Sequence, residues 1–317
     1  MRVNEKPAWT KEFPYDRFLD FLSPNADRYK MLLELAEKLR LSSSVISIEG
    51  GRHIFIFPPG QKLVRAFSGK SPVILTAHYD RVDGSPGAND NSAAVFQLLK
   101  TAAILADSGD DNWIIIFTDK EELKAGDKIE AQGSFSLAKK LKSYSLENAK
   151  IYNFDACGTG DTLIISSTTD HILKNGERPG LIEARKLIIQ LRDHALAAAH
   201  SLRLDKVLLA PTPFSDDAGF LRAGLPSQTI TMLPAREANT YVSLLRKNPD
   251  FADILIAGKF NSLNERRQIP ETWRVINSAA DIHLRLTPQY FAQVINLAAG
   301  LCRQPGKFAA SHALHRG

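Results

Sequence analysis

The chain has 317 residues, 44% hydrophobic and 24% charged, the balance of a globular protein that fits one large α/β domain spanning 1–317. No apolar run approaches the ~18 residues that a bilayer span needs, and the polar start Met1-Arg2-Val3-Asn4-Glu5-Lys6-Pro7 lacks the apolar centre of a secretory signal. Two cysteines, Cys157 and Cys302, leave no disulfide framework, and the net charge of +5 is dispersed, so a cytoplasmic protein without nucleic-acid or membrane partners is expected.

Apolar residues at 29, 32, 33, 35, 36 and 39 predict a helix over Asn25–Arg40, with Pro24 as its start signal. Val45-Ile46-Ser47-Ile48 and His53-Ile54-Phe55-Ile56-Phe57 flank Gly50-Gly51 and read as two strands joined by a turn. Val73–Ala77, Trp113–Thr118 and Ile151–Phe154 are continuous apolar runs, the pattern of strands buried on both faces. Helices are expected over Asn91–Ala106, Ser134–Leu141 and 181–202. A helical turn ending at Gly224 precedes a strand at Ser227–Thr231, and Thr287-Pro288 opens a last helix reaching Leu301. The alternation implies a mostly parallel central sheet with helices on both faces. Pro234–Val275 is longer than a strand connection requires and is partly helical, which suggests an inserted lid or an oligomer contact. The tail from Gln304 to Gly317 has few apolar anchors, so loose order is expected there.

The chemistry-bearing residues follow the buried runs. His78 and Asp80 come directly after the first, Glu121-Glu122 shortly after the second, and Asp155 after the third; Asp90 lies in Gly87-Ala88-Asn89-Asp90-Asn91-Ser92. Parallel strands gather such residues at one sheet edge. One imidazole and several carboxylates brought together there cannot all stay ionised without cations, which points to a hydrolase built around metal. Imidazole nitrogen and carboxylate oxygen suit zinc. Each residue also has a plainer reading. Asp90, taken alone, is an N-cap for the following helix, and Glu121-Glu122 alone would be solvated. Adjacent acids on a turn diverge, so one can bind metal while the other handles protons. Cys157 reads as a small buried residue.

Taken in order, His78-Tyr79-Asp80, Gly87–Ala93, Thr118-Asp119-Lys120-Glu121-Glu122, Asn153-Phe154-Asp155 and Phe214–Pro226 resemble the co-catalytic zinc aminopeptidases. That metallopeptidase family also holds glutamate carboxypeptidases and glutaminyl cyclases. The resemblance implies a phosphorylase/aminopeptidase-like fold with the metal site at the C-terminal edge of the strands. It implies that His78 and Asp155 hold one metal, Glu122 the other, and Asp90 bridges them. Glu121 would be the general base, Asp80 the catalytic partner behind His78, and the Asp90–Asn91 peptide cis.

Three departures stand out. Leu123–Gln132 separates the Glu pair from Gly133-Ser134, the 234–275 segment is long, and Asn277 stands where the family's second-metal histidine is expected. His283 is a replacement ligand only if it reaches the metal; a structural or surface histidine is the plainer reading. His53, His171, His194, His200, His312 and His315 lack ligand spacing. The implied activity is a metal-dependent exopeptidase acting on peptides or small amides, an aminopeptidase first. One tight zinc site and a weaker second divalent site are expected. The alternatives are a carboxypeptidase, deacylase or glutaminyl cyclase, or a binding protein with a degenerate second metal site. An oligomer is compatible with this reading.

Overall fold

The computed structural model describes residues 15–61, 71–174, 176–260 and 262–303; the tail expected to be loose lies outside them. The fold is α/β, with an eight-stranded mixed sheet in the order β1-β2-β4-β3-β5-β8-β6-β7. The strands are β1 (Ser42–Ile48), β2 (Gly51–Phe57), β3 (Val73–His78), β4 (Trp113–Thr118), β5 (Lys150–Phe154), β6 (Thr162–Ser166), β7 (Val207–Ala210) and β8 (Gln228–Leu233). The centre is parallel: β3 pairs with β4 and with β5, and β5 pairs with β8. Antiparallel pairing enters towards the edges, in β1–β2, β2–β4 and β6–β8. The sheet is thus parallel where the site residues arise and less uniformly so than the sequence suggests.

β6 and β7 are not among the strands read from sequence. They span only five and four residues, on either side of the long Pro179–Ser201 helix, and are too short for periodicity to distinguish them from loop. The predicted helices are present with shifted ends: Arg28–Lys38, Ala93–Asp107, Gly133–Ser143 and Phe291–Cys302. Asp27, not Pro24, starts the first of these, its carboxylate accepting from Lys30 N at 3.0 Å.

The continuous apolar runs follow from burial of both sheet faces. Ile115, Phe117, Leu75, Ala77, Tyr152 and Phe154 point to one face, under the Ala93–Asp107 and Phe291–Cys302 helices. Their neighbours Ile114, Ile116, Ile74 and Ile151 point to the other, against Leu137, Leu141 and Phe220. Period-two alternation therefore serves two cores rather than one core and solvent. The Pro234–Val275 segment folds into helices at Ala235–Lys247, Phe251–Ala257, Leu263–Gln268 and Glu271–Val275. Tyr241, Phe251 and Trp273 from it pack with Ile164 and Leu233 into a third core over β6 and β8, with Tyr241 and Trp273 edge to face at 5.3 Å.

One buried cation ties the amino-terminal helices to the sheet edge. The Arg28 guanidinium donates to the carbonyls of Phe21 (3.1 Å), Tyr79 (3.0 Å) and Pro86 (2.8 Å), and lies 4.7 Å from the Phe21 ring. Burial lowers its pKa to about 9, so it stays charged at neutral pH. The 79–87 turn that Arg28 clasps ends at Gly87, whose φ of +64° and an added Cβ only 2.8 Å from Asp90 O both require glycine. Arg28→Met, which keeps length and loses every donor, should lower stability by about 3 kcal/mol. A shift in the urea midpoint with an unchanged slope would record it, and the partly exposed Arg81→Met should cost less.

Candidate metal centre

β3 lies between β4 and β5, and all three run parallel, so their carboxyl ends open on one crevice. The chain crosses from β3 to β4 on one side and then to β5 on the other, which makes this the switch point where α/β sheets place ligands. His78 ends β3, Glu121 and Glu122 follow β4, and Asp155 follows β5. Asp90 arrives from the kinked segment Ala88–Ser92.

Two triads of ligand atoms form around His78, one with Asp90 and Asp155, the other with Glu121 and Glu122, and within each triad the atoms lie no more than 4.8 Å apart. His78 Nε2 is 2.9 Å from Asp90 Oδ1 and 3.8 Å from Asp155 Oδ1, and Nδ1 is 3.4 Å from Asp80 Oδ1. Although close, these contacts lack hydrogen-bond geometry: both ring nitrogens and Asp155 Oδ1 are buried without a hydrogen-bond partner. Buried donors that converge without pairing are what a cation's ligands look like, and imidazole with carboxylates is a set that divalent metals take.

The electrostatics point the same way. Burial alone would lower the His78 pKa, but Asp155, Asp80 and Asp90 outweigh it and hold it well above the ordinary value. Burial and the charge of Asp155 push Asp90 up. Burial, with Asp155 and Glu122 adding to it, pushes Glu121 well up, and burial together with Asp90 takes Glu122 to about 8. Burial opposes ionisation of Asp155 and Asp80 as well, but His78 outweighs it and holds both low. Without a cation the cluster keeps its charge down by holding protons.

Asp90 does not cap the following helix. That helix starts at Ala93, while Asp90 has non-helical φ and ψ of −116° and 89° and turns its carboxylate to His78. The Asp90–Asn91 peptide is cis. Among the described residues no side chain caps that helix; Asp281 instead holds the segment before it, accepting from Asn89 N (2.8 Å) and Asp90 N (3.0 Å). Asn91 Nδ2 donates to Phe154 O at 2.8 Å and so ties the segment to the end of β5.

The Glu pair is held from two sides. Asp80 Oδ2 accepts from Glu122 N at 3.0 Å. Gln132 Nε2 donates to Glu121 Oε1 at 3.1 Å, while Gln132 Oε1 accepts from Gly219 N (2.9 Å) and Ser134 Oγ (3.0 Å). Position 219 must be glycine, because a Cβ there would come within 2.2 Å of Ser134 Oγ. The lengthened Leu123–Gln132 loop thus delivers an amide to Glu121. Beneath it, Asp216 accepts from Thr118 Oγ1, with burial lifting its pKa to about 6. His53 is fully buried, and its Nδ1 accepts from Asp119 N at 3.3 Å in the turn before the Glu pair; burial takes its pKa down to about 4.

Asn277, at a positive φ of 61°, reaches the same cluster. With its amide nitrogen inward it donates to Asp90 Oδ2 (3.2 Å) and Glu122 Oε1 (2.7 Å); turned round, its oxygen would face both carboxylate oxygens. His283 sits partly exposed on the short turn His283–Arg285 and belongs to neither triad. Cys157 is a buried thiol that donates to Ile230 O at 3.2 Å, and it also stands outside both triads. Beside Asp155 lies a cavity of about 40 Å³ lined by Ala156, Phe214, Thr229, Trp273 and Ile276, so the 234–275 segment contributes Trp273 to the wall of the site.

Sequence reasoning assigned no role to Gln132, Asp281, Asp216, His53 or Arg28. Asp216 stands inside the Phe214–Pro226 motif and Asp281 four residues after Asn277, which was the available signal. Gln132, His53 and Arg28 carry none, because each acts across 50 or more positions or through a loop absent from the pattern.

The profile of Peptidase family M28 matches residues 62–244, more than half of the chain. This protein belongs to peptidase family M28. Among solved structures, the LapA aminopeptidase of Legionella pneumophila superposes with a TM-score of 0.57 at 14% identity, over 95% of this chain and 76% of that one. A glutaminyl cyclase from an Acidobacteriales bacterium gives 0.57 at 13% identity, over 96% and 97%. The zinc aminopeptidase of Bacillus subtilis gives 0.50 at 18% identity over 79% of this chain, which spans only about half (49%) of that protein. No curated protein sequence matches the chain. At these identities the structures share the M28 fold. No helix among the described residues is long and apolar enough to cross a membrane.

A cation entering this cluster must displace protons from His78 and, below about pH 8, from Glu122. Metal affinity should therefore fall as the pH drops below about 8. Calorimetric titration in two buffers of different ionisation enthalpy should show net proton release on binding.

Proposed function

We propose that this M28 protein is a metal-dependent exopeptidase, an aminopeptidase that removes N-terminal residues from peptides. The observation that carries the reading is Glu121, a carboxyl whose oxygen lies within 4.8 Å of ligand atoms of His78 and Glu122 and is clamped by Gln132, a placement suited to proton transfer at the edge of the cluster. His78, Asp90 and Asp155 would hold the firm cation, with Asp90, Glu122 and Asn277 facing a weaker second position. Zinc suits the firm set, since three protein ligands of nitrogen and oxygen leave room for substrate. When bound, the cation supplies a Lewis acid that polarises the scissile carbonyl and acidifies water towards a pKa of ~7.

The remaining work belongs to the chain. Asp80 faces His78 Nδ1, which leaves Nε2 as the ligating nitrogen. Gln132 restrains one oxygen of Glu121, so the other accepts the proton of the attacking water and returns it to the leaving amine. The shared proton load of the cluster keeps Glu121 competent in both directions. Two buried free thiols, Cys157 and Cys302, support a reducing cytoplasmic setting.

Glutaminyl cyclase chemistry is the second reading, supported by the near-complete mutual coverage with that fold. Paired substrates with a free or acylated N-terminus and an N-terminal glutamine peptide separate it: release of a free amino acid supports the peptidase, and ring closure with ammonia release supports the cyclase.

Two outcomes are expected. Glu121→Gln should retain fold and metal while kcat falls by at least ~100-fold; near-normal turnover would remove Glu121 from the mechanism. Elemental analysis should find one tightly held metal per chain, and Asn277→His should raise occupancy of the second position, an imidazole being the better ligand for zinc. Two equally tight ions in the unmodified protein would refute the role given to Asn277.

A further inference from the structure

The Glu271–Val275 helix presents Trp273 to two spaces at once. One is the small cavity beside Asp155; the other is a larger groove of about 630 Å³, lined by Phe260, Arg266, Ile269, Glu271, Trp273 and Arg274. That volume lies in the ordinary ~300–1,000 Å³ range of ligand sites. Its apolar wall comes from Phe260, Ile269 and Trp273. Its charge comes from two guanidiniums. Neither Arg266 nor Arg274 makes an ion pair among the described residues, whereas Arg285 engages the one lining carboxylate, Glu271, at 2.9 Å. The groove therefore offers two guanidiniums, Arg266 and Arg274, of which Arg274 also acts on Glu271 electrostatically, over an apolar floor that meets the cavity beside Asp155 at Trp273.

From this juxtaposition we propose that the Arg266–Arg274 groove binds a carboxylate of the substrate, a site that selects anionic peptides. The proposal rests on the peptidase reading for its purpose, but not for its chemistry. A guanidinium binds carboxylate by parallel hydrogen bonds, and an apolar floor holds the intervening chain. The carboxylate has two sources, the C-terminus of a short peptide or an acidic side chain. A C-terminal source would make the enzyme prefer short peptides; a side-chain source would make it prefer acidic sequences.

Three peptides of one length and one N-terminal residue separate the cases: an amidated neutral peptide, the same peptide with a free C-terminal carboxylate, and an amidated peptide with one glutamate. Each is titrated calorimetrically into metal-loaded Glu121→Gln protein, where turnover is blocked, and into the same protein carrying Arg266→Ala and Arg274→Ala. A carboxylate peptide should bind about tenfold more tightly than the neutral one, the combined effect of two exposed guanidiniums, and the advantage should vanish in the arginine variant. Which of the two gains identifies the source. Equal binding of all three peptides, or an advantage that survives both substitutions, would overturn the proposal. In a Glu121 background, Arg266→Ala with Arg274→Ala should leave hydrolysis of a neutral aminoacyl anilide within about twofold, as for surface changes. If the unmodified protein fails on that anilide the peptidase reading falls, while the binding titrations still decide the groove.

Discussion

The structure depends on the free energy of holding five carboxylates, Asp80, Asp90, Glu121, Glu122 and Asp155, around one buried imidazole. Buried charge is tolerated only when paired, protonated or bound to metal. The cluster meets this by contradiction among its members: Asp80 and Asp155 stay low beside His78, while Asp90, Glu121 and Glu122 are driven up. Such a site is poised to exchange protons for cations, and the rest of the molecule holds it in that state.

Polar side chains around the cluster do the holding. Arg28 fixes the turn behind Asp80, Gln132 fixes Glu121, and Asn91 joins the Asp90 segment to β5. Asp281 spends its carboxylate on backbone amides and adds no ligand to the cluster. Under the sheet edge, Thr76 donates to Asn153, and Asn153 donates to Ser215 at 3.0 Å, so the strands bearing His78 and Asp155 are also cross-linked by side chains. These groups are polar because each must satisfy a partner in a place without water.

The 234–275 segment has a different logic. Its aromatic residues extend the core past β6 and β8, which fixes the helix bearing Trp273 at the cavity beside Asp155. A few residues on, Asn277 enters the cluster opposite Glu122. The two departures in the carboxyl-terminal part of the chain, an added helical segment and an amide in place of an imidazole, are therefore neighbours in space.

Much of this was legible in one dimension. Short, β-branched apolar runs such as Trp113–Phe117 read as strands buried on both faces, and acids placed directly after parallel ones gather at one end of the sheet. That argument needs only local pattern and chain direction, so His78, Glu121, Glu122 and Asp155 could be named from it. Asp90 could not be separated from an N-cap by its residues alone, because a cap and a ligand have the same local sequence; the structure shows that it does not cap the helix and turns its carboxylate to His78. β6 and β7 were hidden by their shortness, and their pairing is a long-range property. Arg28 and His53 were hidden because their partners lie far along the chain, and Gln132 because it acts through a loop absent from the pattern. Local sequence determined which elements form and which edge carries the acids, since both follow from periodicity. Only the tertiary structure decided what holds those acids in place, because hydrogen bonds between distant segments leave no period to read.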